Sequence, residues 1–155
     1  MILSFLALSA LAAPTVNGID VGDSLDGFTR VGKKNQHLYC KGQSLEVLNV
    51  INGDVCVHGK HGVIIDSGWW TTSYSTEEGL FPVYVYHSED PLTQAMGDFH
   101  LTAEYFLSSG FVVADNHKED LSFSLLLCNE EMCFMDTIEM NELGNLVTIV
   151  IQRYP

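Results

Sequence analysis

Two cysteines, Cys128 and Cys133, are the residues whose type and spacing point most directly to chemistry. Apolar residues lead into Cys128, four residues intervene, and from Phe134 to Met140 polar and apolar residues roughly alternate. This pattern predicts two strands joined by a tight turn, with a cysteine at each shoulder. Shoulder residues of a narrow hairpin face each other across roughly 4.5 to 5.5 Å, a separation that suits a disulfide.

Such a bridge has a structural and a functional interpretation. A cysteine pair in a secreted protein is usually a structural staple. A bridge at a turn, however, is open to the thiolate of another protein, whereas a bridge in a core is inert. Glu130 and Glu131 lie between the two sulfurs and disfavour a thiolate on either cysteine. A redox-active pair here is therefore expected to accept electrons from the low-pKa thiolate of a thioredoxin-like partner.

The other two cysteines flank the strongest hairpin signal of the sequence. Asn52-Gly53 lies between two β-prone runs and predicts a type I′ turn, with Cys56 on the second strand and Cys40 just before the first. Joining these cysteines closes a loop of about 15 residues, worth about 3 kcal/mol in the chain-entropy model. Four cysteines can be paired in more than one way, so a Cys40–Cys56 staple beside an exposed Cys128–Cys133 bridge is one interpretation among these.

Cys56, His58 and His61 have a C-x-H-x-x-H spacing that offers soft metal ligands. A compact site needs a fourth ligand, and the remaining histidines are scattered singly along the chain. A disulfide at Cys56 would also remove one ligand. We therefore predict no metal site and no cofactor.

Composition bounds the function further. The chain has 155 residues, of which 46% are hydrophobic and 17% charged, as expected for one globular domain. Twenty acidic residues against seven basic ones give a formal charge of −13, which disfavours nucleic acids and acidic membranes as partners. No G-x-S-x-G, H-E-x-x-H or glycine-rich phosphate loop indicates a hydrolase.

Residues 1–18 resemble a secretory signal peptide, with an apolar run of about a dozen residues that ends in small ones. The run is too short to span a bilayer, and the alternative is a buried first strand or helix of the mature fold. We expect residues 19–155 to form a single domain without a membrane span. Its predicted location is the secretory-pathway lumen, the periplasm or the exterior, where disulfides persist.

The rest of the chain is predicted to be all-β. Beyond a short strand near Phe28 to Val31 and the hairpin around Asn52-Gly53, several runs are rich in β-branched and aromatic residues and are bounded by turn-forming residues. With these and the N-terminal hairpin, the chain is predicted to have about eight or nine strands, at the spacing expected of a two-sheet β-sandwich. The runs are Val63–Ile65, Phe81–Tyr86, Phe99–Leu107, Phe111–Ala114, Leu121–Leu127, Phe134–Met140 and Leu146–Gln152.

Two stretches between about Gly62 and Val150 resemble a known family. Gly68-Trp69-Trp70-Thr71-Thr72-Ser73-Tyr74, with the later Gly79-Leu80-Phe81-Pro82, is similar to its G-W-H-x-Y segment and G-x-P. Cys128-Asn129-Glu130-Glu131-Met132-Cys133 is similar to the C-x-x-x-x-C that it carries between two strands. The family is the immunoglobulin-like N-terminal domain of the thiol:disulfide interchange protein DsbD, also known as the disulfide bond corrector domain.

The resemblance implies that Cys128 and Cys133 cycle between disulfide and dithiol by exchange with a thioredoxin-fold partner. This would make the chain a component of a thiol:disulfide oxidoreductase. In the family an aromatic cap loop shields the cysteine pair, and the best counterparts of that loop here are Asp98-Phe99 and Tyr105-Phe106.

The alternative is a redox-inert, secreted β-sandwich that binds another protein of the secretory route and uses both disulfides as staples. Its support is the acidic surface and an aromatic group, Trp69, Trp70, Tyr74 and Phe81. Aromatic residues are enriched in interface anchors, although beside a strand they more often belong to a core.

Overall fold

The computed structural model describes residues 19–33, 35–45, 48–77 and 85–154, without the side chains of 44, 45 and 48–52. Within these ranges one helix, α1 (Pro91–Ser108), interrupts a series of strands. The strands are β1 (Thr29–Val31), β2 (Leu38–Leu45), β3 (Leu48–Lys60), β4 (Val63–Ile64), β5 (Trp69–Ser75), β6 (Tyr86–His87), β7 (Val112–Lys118), β8 (Ser122–Cys128), β9 (Cys133–Met140) and β10 (Leu146–Tyr154).

The strands share one hydrogen-bonded path in the order β1-β2-β3-β5-β10-β9-β8-β7, with β4 paired to β3 and β6 paired to β5. The pairing is antiparallel except between β5 and β6. About half of the described residues lie in these strands, which confirms the predicted all-β, sandwich-like class. Among the described residues, no helix combines the length and apolar character that crossing a membrane requires.

The core lies between α1 and one face of the central strands. Successive strand residues point to opposite faces, so the buried Val147, Ile149 and Ile151 of β10 share the face that α1 covers. Trp70 and Phe134 on the flanking strands extend this layer, and both are almost completely buried. The helix therefore covers one face of the central strands. The side chains that alternate with the buried ones point to the opposite face.

The prediction of a strand over Phe99–Leu107 is wrong, because this segment forms the second half of α1. Asp90 caps the helix by accepting a hydrogen bond from the Thr93 N–H, and Pro91 occupies the first turn. The buried positions Ala95, Thr102, Ala103 and Phe106 recur at helical spacing. The aromatic residues of this segment favour a strand when they are considered alone. The segment is helical because its buried side chains recur at helical spacing, and tertiary packing overrides local propensity.

The predicted turn at Asn52-Gly53 is also wrong. Both residues lie inside β3, where they face Ser44 and Gln43 of β2, and the pairing of the two strands continues to Leu45 with Leu48. Gly53 is required for packing: a Cβ atom there would lie 2.2 Å from the Thr71 carbonyl oxygen and 2.8 Å from the Trp70 ring. A glycine inside a strand can mark such a close approach as well as a turn.

Replacement of Gly53 by alanine is expected to lower the free energy of unfolding by at least about 2 kcal/mol, because a backbone oxygen and a buried ring must move. Gly42→Ala on the neighbouring strand is the matched control, since its added Cβ would lie 4.0 Å from the nearest atom. Urea unfolding of both variants measures the difference. Equal stabilities would contradict the packing role of Gly53.

Central strand β5 was not among the predicted strands, although its Trp, Thr and Tyr residues favour strand structure. The remaining predicted strands after Ile65 are present, with ends shifted by at most two residues except at β7, which continues four residues beyond the predicted end at Ala114. Phe81–Tyr86 can be compared only at Val85, which is not in a strand, and Tyr86, which begins β6. Residues 1–18, the predicted signal peptide, and residues 81–84 lie outside the described part of the chain.

Asp136 is a carboxyl group buried between β9 and α1. Its Oδ2 accepts a hydrogen bond of 2.6 Å from the Thr102 hydroxyl, and its Oδ1 has no partner among the described residues. Burial raises the pKa of Asp136 from 3.8 to about 7. The folded state therefore holds a proton that the unfolded state releases, and the stability from this proton is lost as pH rises from about 4 through 7.

The Asp136→Asn variant is expected to lose less stability than the wild type between pH 4 and 7, by up to about 4 kcal/mol, since asparagine stays neutral. Denaturant unfolding across this pH range is the measurement. The exposed Asp26→Asn variant serves as control and should follow the wild-type curve. A wild-type curve that instead parallels the Asp136→Asn curve would show that Asp136 does not titrate in this window.

Candidate functional site

Cys128 and Cys133 form a disulfide at the end of the β8–β9 hairpin, with their Cα atoms 4.1 Å apart. The turn beyond them is organised by Asn129. Its N–H donates to the Met132 carbonyl oxygen at 2.9 Å, and its Oδ1 accepts from the N–H groups of Glu131 and Met132. This side chain holds the narrow turn in which the two cysteines face each other directly.

The bridge lies on the face of the sheet away from α1. Leu127 and Phe134, the neighbours of the two cysteines along the chain, are buried toward the helix, so the cysteines point the other way. Both cysteines are partly exposed. Their row across the sheet continues with Val112 of β7 beside Cys128 and Tyr154 of β10 beside Cys133. Val112 is 62% exposed and Tyr154 48% exposed, which leaves an accessible apolar row around the sulfurs.

A cleft of about 530 Å³ opens beside Cys128. It runs from the end of α1 to the β8–β9 turn, and its lining residues are Ser109, Gly110, Val112, Cys128, Asn129, Glu130 and Glu131. In thiol–disulfide exchange the attacking sulfur approaches one sulfur of the bridge while the other leaves. Cys128 lines the cleft and Cys133, on the side toward β10, does not, so Cys128 is the cysteine of the pair that borders this opening.

The second disulfide, Cys40–Cys56, joins directly opposed residues of β2 and β3 and has the same Cα separation of 4.1 Å. Its environment differs, since Cys40 is 0% exposed and Cys56 2% exposed. A buried bridge is closed to a foreign thiolate. The two disulfides thus differ in accessibility rather than in the way they connect strands.

No family model, curated protein or solved structure matches this chain. The resemblance to the DsbD domain therefore remains a prediction based on the two motifs. The site has to be interpreted from its own geometry.

The predicted cap residues on α1 do not converge on the bridge. Phe106 is fully buried, with its ring 5.4 Å from that of Phe111 and 5.1 Å from that of Phe134. Tyr105 lies beside Phe106 and is half-buried. Phe99 contacts Phe123, toward the opposite end of β8 from Cys128. Phe106 supports the cysteine hairpin from beneath, and none of these rings covers the sulfurs.

Trp69 and Trp70, the other predicted partner-binding residues, lie on β5 near the buried disulfide. Trp69 pairs with Cys56 in the sheet and contacts the His58 ring, 5.4 Å away. Trp70 is fully buried, and its indole N–H donates to the Gln43 carbonyl oxygen. Trp70 is therefore a core residue, and a partner bound at the Cys128–Cys133 bridge would meet Val112 and Tyr154 instead.

Two of the three C-x-H-x-x-H residues, Cys56 and His58, have other partners. Cys56 is bonded to Cys40, and His58 Nδ1 pairs with the Asp66 carboxylate. His61 stands in the turn between β3 and β4 with a positive φ of 54°. Within the described ranges, no group of three or more His, Cys, Asp and Glu side chains is arranged to hold a metal ion.

Limited reduction is expected to open Cys128–Cys133 before Cys40–Cys56, because a thiolate reaches the partly exposed bridge and not the buried one. Folded protein treated with a small amount of dithiothreitol, alkylated and mapped by mass spectrometry should carry label on Cys128 and Cys133 only. The buried bridge is an internal control. Labelling of Cys40 and Cys56 at the same rate would contradict the assignment of accessibility.

Proposed function

We propose that this chain is a secreted thiol–disulfide exchange domain whose Cys128–Cys133 bridge accepts two electrons from a thioredoxin-fold partner. The observation that carries the proposal is that this bridge is partly exposed and opens on a cleft, while the other is buried in the same fold. An accessible bridge at a hairpin end is a substrate for exchange. Two disulfides also suit an oxidising compartment such as the secretory lumen or the periplasm.

The exchange begins when the partner's thiolate enters the cleft and attacks Cys128 Sγ. A mixed disulfide forms, the bond between Cys128 and Cys133 breaks, and Cys133 leaves as a thiolate that takes up a proton. The partner's second cysteine thiolate then attacks the sulfur of the partner's first cysteine, which is bonded to Cys128. Cys128 leaves as a thiolate and is protonated in turn. The partner ends as a disulfide and this domain as a dithiol, so two electrons have been transferred.

Two carboxylates lie beside the bridge, and they lower the nucleophilicity of the reduced pair. Glu130 and Glu131 are exposed at the turn, and their negative charge disfavours a thiolate on either cysteine of the reduced pair. The reduced domain is therefore a poor nucleophile. A thioredoxin-fold partner supplies the low-pKa thiolate that this domain lacks. Its apolar surface would contact Val112 and Tyr154 on either side of the sulfurs.

The proposal predicts an asymmetry between the two sulfurs. In Cys133→Ser and Cys128→Ser variants, the remaining cysteine is converted to a mixed disulfide with a chromophoric thiol. A thioredoxin without its resolving cysteine should displace that thiol faster from Cys128 than from Cys133, because the cleft leads to Cys128. Dithiothreitol, which needs little space, is the matched control and should discriminate less.

Two results would count against exchange. The first is a reduction potential of the wild-type bridge below about −300 mV, which marks a structural disulfide. The second is failure of intact thioredoxin to reduce the bridge under conditions in which dithiothreitol does. Either result would favour the alternative, a redox-inert module that binds a secretory protein, for which the exposed Val112 and Tyr154 supply an apolar contact surface.

A further inference from the structure

A second cleft lies at the opposite end of β8 from the disulfide. It has a volume of about 460 Å³ and is enclosed by the first half of α1, the end of the sheet and the β7–β8 turn. Leu92, Met96 and Phe99 form the helix wall, and Phe123, Ile138 and Val147 form the sheet wall. The hydrophobic core thus continues into an opening that solvent reaches.

The helix wall exposes apolar side chains that the fold itself does not cover. Leu92 and Met96 are one helical turn apart on α1, and they are 40% and 57% exposed. Across the cleft, Leu121 in the β7–β8 turn is 37% exposed. Exposed apolar residues that surround a concavity, rather than being scattered singly, are typical of ligand sites. Methionine adds adaptability, since its side chain adjusts to the shape of an apolar guest.

The mouth of the cleft is acidic. Glu119 and Asp120 of the β7–β8 turn line it together with Lys118, so carboxylates outnumber ammonium groups. Glu139 also borders the cleft, but its side chain leaves the sheet on the face away from α1, since its neighbour Ile138 belongs to the sheet wall. His117 Nε2 lies 3.0 Å from Glu119 Oε1 and neutralises part of this charge only when the imidazole is protonated. The formal charge of −13 on the whole chain strengthens the attraction for cations and repels anions.

We infer that this cleft binds a small cationic amphiphile, with its hydrocarbon body between α1 and the sheet and its ammonium group beside Glu119 and Asp120. The volume lies in the lower part of the range of roughly 300 to 1,000 Å³ for small-molecule sites. The apolar walls select the hydrocarbon and the carboxylates select the sign of the head group. This site is separate from the Cys128–Cys133 bridge and does not depend on redox activity.

Three probes with the same alkyl chain test the head group: octylammonium, octanol and octanoate, titrated by calorimetry into the whole folded chain. Octylammonium should bind tightest and octanoate weakest, with about a tenfold difference in affinity, which corresponds to about 1.4 kcal/mol. In the Glu119→Gln and Asp120→Asn variants the advantage of octylammonium over octanol should shrink by about threefold each, while the affinity for octanol should stay unchanged.

Met96→Lys should abolish octylammonium binding, because it places a cation and a longer side chain in the mouth. Leu107→Lys is the matched control: it changes the same charge on the same helix at a residue that is 47% exposed and outside the cleft lining. Both sites are at the surface, so both variants should fold. Tightest binding of octanoate, equal losses in the two lysine variants, or no binding of any probe would each overturn the inference.

Discussion

The contact of Phe106 with Phe111 and Phe134 is the interaction on which the geometry of the disulfide hairpin depends. It fixes the last turns of α1 against β9 and against the residue that leads into β7, with ring centroids 5.1 and 5.4 Å from that of Phe106. Since Phe134 must point into this cluster, Cys133 beside it must point to the other face of the sheet. A hydrophobic requirement on one face of the hairpin thereby sets the accessibility of the sulfurs on the other.

The two disulfides connect their strands in the same way but differ in how far solvent reaches them. Each joins directly opposed residues of adjacent antiparallel strands with the same Cα separation. Cys40 and Cys56 lie where other parts of the molecule cover both sulfurs, whereas Cys128 and Cys133 lie at the end of a hairpin near the edge strand β7. Position in the sheet is what separates a staple from a bridge that another protein can reach.

The sequence predicted the cysteine hairpin well because alternation and turn residues are local signals. β8, β9 and β10 lie within two residues of their predicted bounds. Signals that depend on tertiary contacts were misleading: the aromatic residues of Phe99–Leu107 pack from a helix, and Gly53 accommodates the Trp70 ring instead of forming a turn. Val112 and Tyr154 are distant in sequence from the cysteines and become their neighbours only through strand register, which no local pattern reveals.

The Cys128–Cys133 bridge joins two strands, β8 and β9, that backbone hydrogen bonds already hold together. From Ser122–Glu139 to Cys128–Cys133, β8 and β9 are paired along their length, and the bridge closes no contact between distant segments. Opening it would free two thiols without separating the strands, because the six other residue pairs of β8 and β9 do not depend on the bridge. We therefore expect the hairpin to keep its register when the two cysteines are reduced, so that the sulfur atoms themselves carry the main difference between the two states.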